Sequence, residues 1–155
     1  VVEEAATDVI TAQQAQDVEE PWQRPDFLEA ITRLQRQRQT EPVSATVAAQ
    51  IYDRSPLCTL ALARYLHRPV PPLLTEEVAR VINEQLYERS VFLVHPLGFI
   101  TATAARQISY QDSLVFHSVH EAIYREHGYE LVDVPAATLA ERTALVEQLI
   151  TSTAR

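Results

Sequence analysis

Residues 50–56 read Gln-Ile-Tyr-Asp-Arg-Ser-Pro, and the fold turns on how they are read. The approach is apolar, with Val47, Ala48, Ala49 and Ile51, and it predicts a strand over about 47–52 buried on both faces. Ser55 is a favoured N-cap and Pro56 suits the first helical position, so a helix should follow over 56–66. Asp53 and Arg54 then fall at the carboxyl end of a parallel strand, at its turn into a helix. In open α/β sheets, ligands bind there. An aspartate at that place holds Mg²⁺ or its waters, and an arginine beside it pairs with phosphate oxygens. The plain alternative is an ordinary salt bridge in a turn.

Outward from this stretch, strands and helices alternate. Towards the amino terminus, Ala5, Ala6, Val9 and Ile10 follow helical spacing within 3–16. Trp22 lies in a loop marked by Pro21 and Pro25. Asp26 with Glu29 has the form of a capping box, opening a helix over 27–39 that buries Phe27, Leu28, Ile31 and Leu34. The Gln-Arg run 33–38 reads as its solvated end.

Towards the carboxyl terminus, Thr75-Glu76-Glu77 starts a helix with Val78, Val81, Ile82 and Leu86 as its apolar stripe. Val91–Val94 is a short apolar strand, and Leu97–Ser109 is irregular. Ser109 or Asp112 caps a helix running to about His127, with Val115, Phe116, Val119, Ala122 and Ile123 as its core face. Gly128 suits a left-handed helix end. Leu131–Val134 is another buried strand. Thr138 with Glu141 caps a last helix that buries Leu139, Ala144, Leu145 and Leu149. The fold class is therefore α/β, a parallel sheet flanked by helices, in one domain over 1–155.

Composition narrows the function. The chain has 155 residues, 46% apolar and 22% charged, enough for a substantial core. Its net charge of −8 argues against a nucleic-acid binder, which needs clustered cations. No apolar run approaches the ~20 residues of a membrane span. One cysteine, Cys58, excludes an internal disulfide and reads as a buried structural thiol, consistent with the cytoplasm. There is no methionine, and the chain opens Val1-Val2, so a trimmed or partial chain starting at a strand's end is expected.

The strand, Asp-Arg-Ser-Pro and the apolar helix together resemble the second acidic motif of P-loop NTPases. The likeness is to AAA-domain ATPase-like proteins similar to nucleoside and nicotinamide-riboside kinases. It continues in Pro21-Trp22, Val91-Phe92-Leu93-Val94, Gly128 to Pro135 and Glu141-Arg142. It implies ATP and Mg²⁺ as cofactors and a small-molecule phosphoryl acceptor. The phosphate loop itself, Gly-rich and ending Gly-Lys-Ser or Gly-Lys-Thr, does not occur: the two glycines precede Phe99 and Tyr129, and every one of the basic residues is arginine. By resemblance, the first strand, the P-loop and the first helix would lie ahead of Val1, making the domain incomplete at its amino end.

The resemblance also implies roles for site residues. Asp53 would support Mg²⁺ through water, and Arg54 would face phosphate. Glu4, or its neighbour Glu3, would act on the acceptor hydroxyl, although both are equally explained as acids in a first helical turn. Arg106 would belong to a lid over the phosphates, its alternative being a solvent-exposed arginine. Trp22 would line the acceptor pocket or simply cap the core. His117, His120 and Glu121 share a helical face but read as surface residues rather than metal ligands. The function expected of the whole protein is phosphoryl transfer from ATP to a nucleoside-like metabolite. A regulatory ATPase and a non-catalytic module of the same fold are the alternatives, and the oligomeric state is not legible.

Overall fold

A computed structural model describes residues 1–42, 47, 49–99 and 108–153. They form two compact units, 1–86 and 87–155, each with its own core.

The first unit is helical: α1 (Ala5–Gln14), a 3₁₀ turn (Pro21–Gln23), α2 (Phe27–Thr40), α3 (Pro56–Tyr65) and α4 (Pro72–Asn83). Its core gathers Val9, Ile10, Phe27, Leu28, Ile31, Leu57, Leu74 and Val81. Two polar ties fix the packing. Thr59 Oγ1 of α3 donates to Gln35 Oε1 of α2 at 2.9 Å, with both side chains buried. The Glu77 carboxylate of α4, wholly buried, takes two bonds from Arg80 at 2.5 and 3.0 Å and stands 3.7 Å from Arg36 of α2.

Several local expectations meet competitors here. α3 starts as predicted, with Ser55 Oγ accepting from the Leu57 N–H at 3.2 Å. The capping box at α2 does not form. Arg24 takes Asp26 in a two-bond fork at 2.9 and 3.0 Å, and Glu29 pairs with Arg33 instead. That fork holds the Asp26 carboxyl below its usual range. α4 begins at Pro72, not Thr75, which carries Glu77 a turn deeper and into the core. Leu86 lies beyond the helix and is exposed.

The predicted strand over 47–52 is not regular. Val47 and Ile51 are exposed, and Ala48 lies outside the described residues. The pairing reduces to one parallel bridge, Val2 with Tyr52. A strand needs a neighbour to satisfy successive backbone groups, and among the described residues Val2 alone supplies one.

The second unit holds β1 (Ser90–Val94), α5 (Tyr110–Glu126), β2 (Glu130–Val134) and α6 (Leu139–Thr153). β1 and β2 pair in parallel from Ser90 opposite Glu130 to Val94 opposite Val134. α5 lies between them in sequence and packs on β2. Both caps of the α5 connection are as expected. Ser109 Oγ accepts from the Asp112 N–H at 3.0 Å, and Gly128 stands at φ +82° while the Tyr129 N–H bonds back to Tyr124 O at 3.0 Å. The box at α6 also forms: the Thr138 N–H donates to Glu141 Oε2 at 2.9 Å and the Glu141 N–H to Thr138 Oγ1 at 3.3 Å.

The buried faces of α5 and α6 differ from their apolar stripes. On α5, Ile123, Tyr124 and His120 are buried while Val115 and Ala122 are exposed. A histidine is tolerated inside because its Nδ1 lies 2.8 Å from Phe116 O and its ring packs on the Phe116 ring at 4.2 Å. On α6, Leu139 and Ala144 are exposed, and Leu145 and Leu149 are half-buried.

Candidate functional site

The Asp53-Arg54 turn is fastened by the Val2–Tyr52 bridge. The Val2 N–H donates to Ile51 O at 2.7 Å, and the Asp53 N–H donates to Val2 O at 2.8 Å. These two bonds carry Glu4, at the start of α1, to Arg54. Glu4 Oε1 stands 3.6 Å from Arg54 Nε, and Thr7 Oγ1 donates to Glu4 Oε2 at 2.8 Å. So three of the predicted residues, Glu4, Asp53 and Arg54, converge.

Arg54 adopts φ +79°, a left-handed conformation that costs an ordinary residue about 1–2 kcal/mol. It is held between the bridge at Tyr52 and the N-cap at Ser55, each of which sets the backbone on one side. Its side chain is 43% exposed. Burial opposes its charge, but Cys58, Glu4 and Asp53 outweigh that and raise the guanidinium pKa. Cys58 is therefore half-buried beside an arginine rather than sealed in the core. Asp53 is exposed.

Sequence reasoning missed Arg38. It was read as part of a solvated helix end. Instead its guanidinium donates to Glu3 O at 2.7 Å and pairs with Asp8 of α1. Arg38 thus clamps the backbone immediately before Glu4, and its side chain is only 21% exposed. The signal in the sequence was an arginine at a helix end with acids at 3, 4 and 8. Nothing there named which acid it would meet.

A small cleft lies between Glu3, Arg38, Gln39, Tyr52, Asp53 and Arg54, with room for about one water (about 10 Å³). A broad open trough of about 440 Å³ adjoins it, lined by Val1, Val2, Glu3, Arg38, Glu41 and Gln50 among others.

Trp22 sits half-buried in the 3₁₀ turn, which packs on α1 and α2, and it does not line the cleft. Arg106 lies outside the described residues, as does most of the expected lid. Among the described residues no three His, Cys, Asp or Glu side chains are grouped to hold a metal. Asp53 presents an exposed carboxylate, and Mg²⁺, which keeps several waters and takes further ligands from phosphates, needs only one or two of these.

A family model described as an AAA domain matches residues 1–142. The chain belongs to the AAA-domain family. It is an AAA-type, P-loop NTPase-like domain, of a class that generally binds nucleotide with Mg²⁺. The match runs through both compact units. Comparison with curated proteins and with solved structures finds no match. Among the described residues no helix is long and apolar enough to cross a membrane.

Proposed function

We propose that this AAA-type domain serves phosphoryl transfer from ATP to a small, nucleoside-like acceptor. The fold on this reading is of P-loop type, and the test asks whether a Gly-rich phosphate loop completes it. The observation that supports the reading is the convergence of Glu4, Asp53 and Arg54 at one turn, with Arg54 held in a strained conformation. Strain of this kind collects at ligand sites.

Asp53 would hold Mg²⁺ through water, and the ion would neutralise charge on the phosphates. Arg54 faces the phosphate oxygens. Glu4 accepts the proton of the acceptor hydroxyl as its oxygen bonds to the γ-phosphorus and the bond to the ADP oxygen breaks. Arg106 and Trp22 belong to the same reading, as a lid cation and an acceptor-side wall. The partners are a nucleotide and a small molecule in the cytoplasm. Nucleic acid and membrane are not among them, in keeping with the net charge of −8.

Calorimetric titration with ATP–Mg²⁺ tests this on two chains, this one and one extended upstream through a Gly-rich loop. We expect weak binding by the first and micromolar binding by the second. Phosphate transfer to a nucleoside by the extended chain completes the case. Hydrolysis without an acceptor would make it a regulatory ATPase. Weak binding by both chains would make it a non-catalytic module.

A further inference from the structure

Of the histidines of the second unit, His120 is buried and His95, His117 and His127 are half-buried. His95 follows β1 directly, and its backbone N–H continues the ladder to Val134 O at 2.9 Å. Its Nε2 stands 2.7 Å from Asp133 Oδ1 of β2. Against it, from α5, comes His117, with the two rings 5.0 Å apart. The carboxyl ends of both strands and the middle of α5 therefore meet through two imidazoles and a carboxylate.

The two histidines differ in their partners. His95 Nε2 has the Asp133 carboxylate within hydrogen-bond reach. Among the described residues His117 Nε2 is buried without a hydrogen-bond partner. Its nearest acid, Glu121, lies 3.5 Å away and is already engaged by Arg125 at 2.8 Å. His120, also on α5, is a further neighbour. Among the described residues the groups facing His117 are thus His95, Asp133, Glu121 and His120, with Arg125 sharing Glu121 through its other oxygen.

We propose that His95, His117 and Asp133 form a pH-sensitive latch that holds α5 against the ends of β1 and β2 and opens on mild acidification. A proton on His117 enters a half-buried place 5.0 Å from a second imidazole, where the nearest carboxylate oxygen, Glu121 Oε1, stands at 3.5 Å, beyond good hydrogen-bond reach. Repulsion and desolvation then act on the α5–sheet contact together.

The direction of the effect follows from the same surroundings. Burial, then His95, lower the His117 pKa below its ordinary value, and Glu121 and Asp133 only partly offset them. The unfolded chain therefore binds this proton more readily. The stability this contact contributes is fully present above the ordinary histidine value of about 6.5 and declines as pH falls from there through the lower folded value. One such proton changes the opening equilibrium by up to about tenfold per pH unit.

The test is ring-proton NMR titration with amide exchange of α5, from pH 8 to 5.5, on the whole chain. In the unaltered chain we expect His117 to titrate below the ordinary value and α5 protection to fall in the same window. His117→Gln should flatten that fall. His95→Gln should move the His117 titration up, and Asp133→Asn should move it down. A His117→Gln chain with unchanged pH dependence overturns the latch. So does a His117 that titrates at or above the ordinary value, or that ignores both neighbouring substitutions. If His117→Gln fails to fold, the opposite shifts in the other two variants decide.

Discussion

Removing the Glu77 carboxylate tests the frame on which the candidate site rests. Glu77 is wholly buried on α4, and Arg80 donates to both of its oxygens. Arg80 in turn reaches Gln39 Oε1 on α2 at 2.6 Å, and Gln39 lines the cleft. Breaking a buried pair from one side costs about 3–5 kcal/mol, because the remaining charge is left uncompensated. Two features place Glu77→Ala at the low end. Arg80 keeps Glu84 at 3.2 Å, and Arg36 is half exposed at 3.7 Å, where solvent screens it. We expect a loss of about 3 kcal/mol, or a fall of about 6–12 °C in melting temperature for a chain of this size. Glu77→Gln keeps the shape and an acceptor while losing the charge, and should cost about half as much. Urea unfolding followed by Trp22 fluorescence is the assay, since the one tryptophan lies in the first unit. A loss under about 1 kcal/mol for Glu77→Ala would refute the argument, because it would mean that water already reaches the carboxylate.

Three further outcomes follow from the same physical terms. Arg54→Gly should relieve about 1 kcal/mol of left-handed strain and offset its lost pairing with Glu4, leaving stability within about 1 kcal/mol while abolishing nucleotide binding by the extended chain; a large loss of stability would make the pair structural. Ser55→Ala should cost about 1 kcal/mol through the lost cap of α3, read in the same urea titration, and no change would mean that Pro56 alone starts the helix. Hydrogen bonds from Thr138 hold the Glu141 carboxyl below its usual range, so the start of α6 should be intact above the ordinary glutamate value and fray as pH drops through the lower folded one; amide exchange at 139–142 that is independent of pH in that range would contradict the box.

Local chemistry was legible in the sequence. Ser55-Pro56, Ser109, Gly128 and the Thr138–Glu141 box act within a few residues of themselves, so their neighbours in the chain are their neighbours in space. The short strands Ser90–Val94 and Glu130–Val134 were legible because each is apolar and bounded by turn residues. The start of α3 after the Asp53-Arg54 turn was also legible, because Ser55-Pro56 is a local helix-start pattern.

Only tertiary structure decided who pairs with whom. The run before Asp53 is apolar enough for a strand, yet a ladder depends on a neighbouring backbone, and one bridge to Val2 is what it receives. Glu77, His120 and Arg38 look like solvated residues by composition. Glu77 and His120 each keep a partner on their own helix, Arg80 and Phe116 O, but their burial is set by what packs against that face, as with Arg36 of α2 beside Glu77, while Arg38 finds Glu3 O from a distant part of the chain. Helix periodicity tells which residues share a face, but the choice of buried face is made by what the other elements bring against it. That is why the two arginines flanking Glu4 and the histidine pair at the sheet's end emerge only from the folded chain.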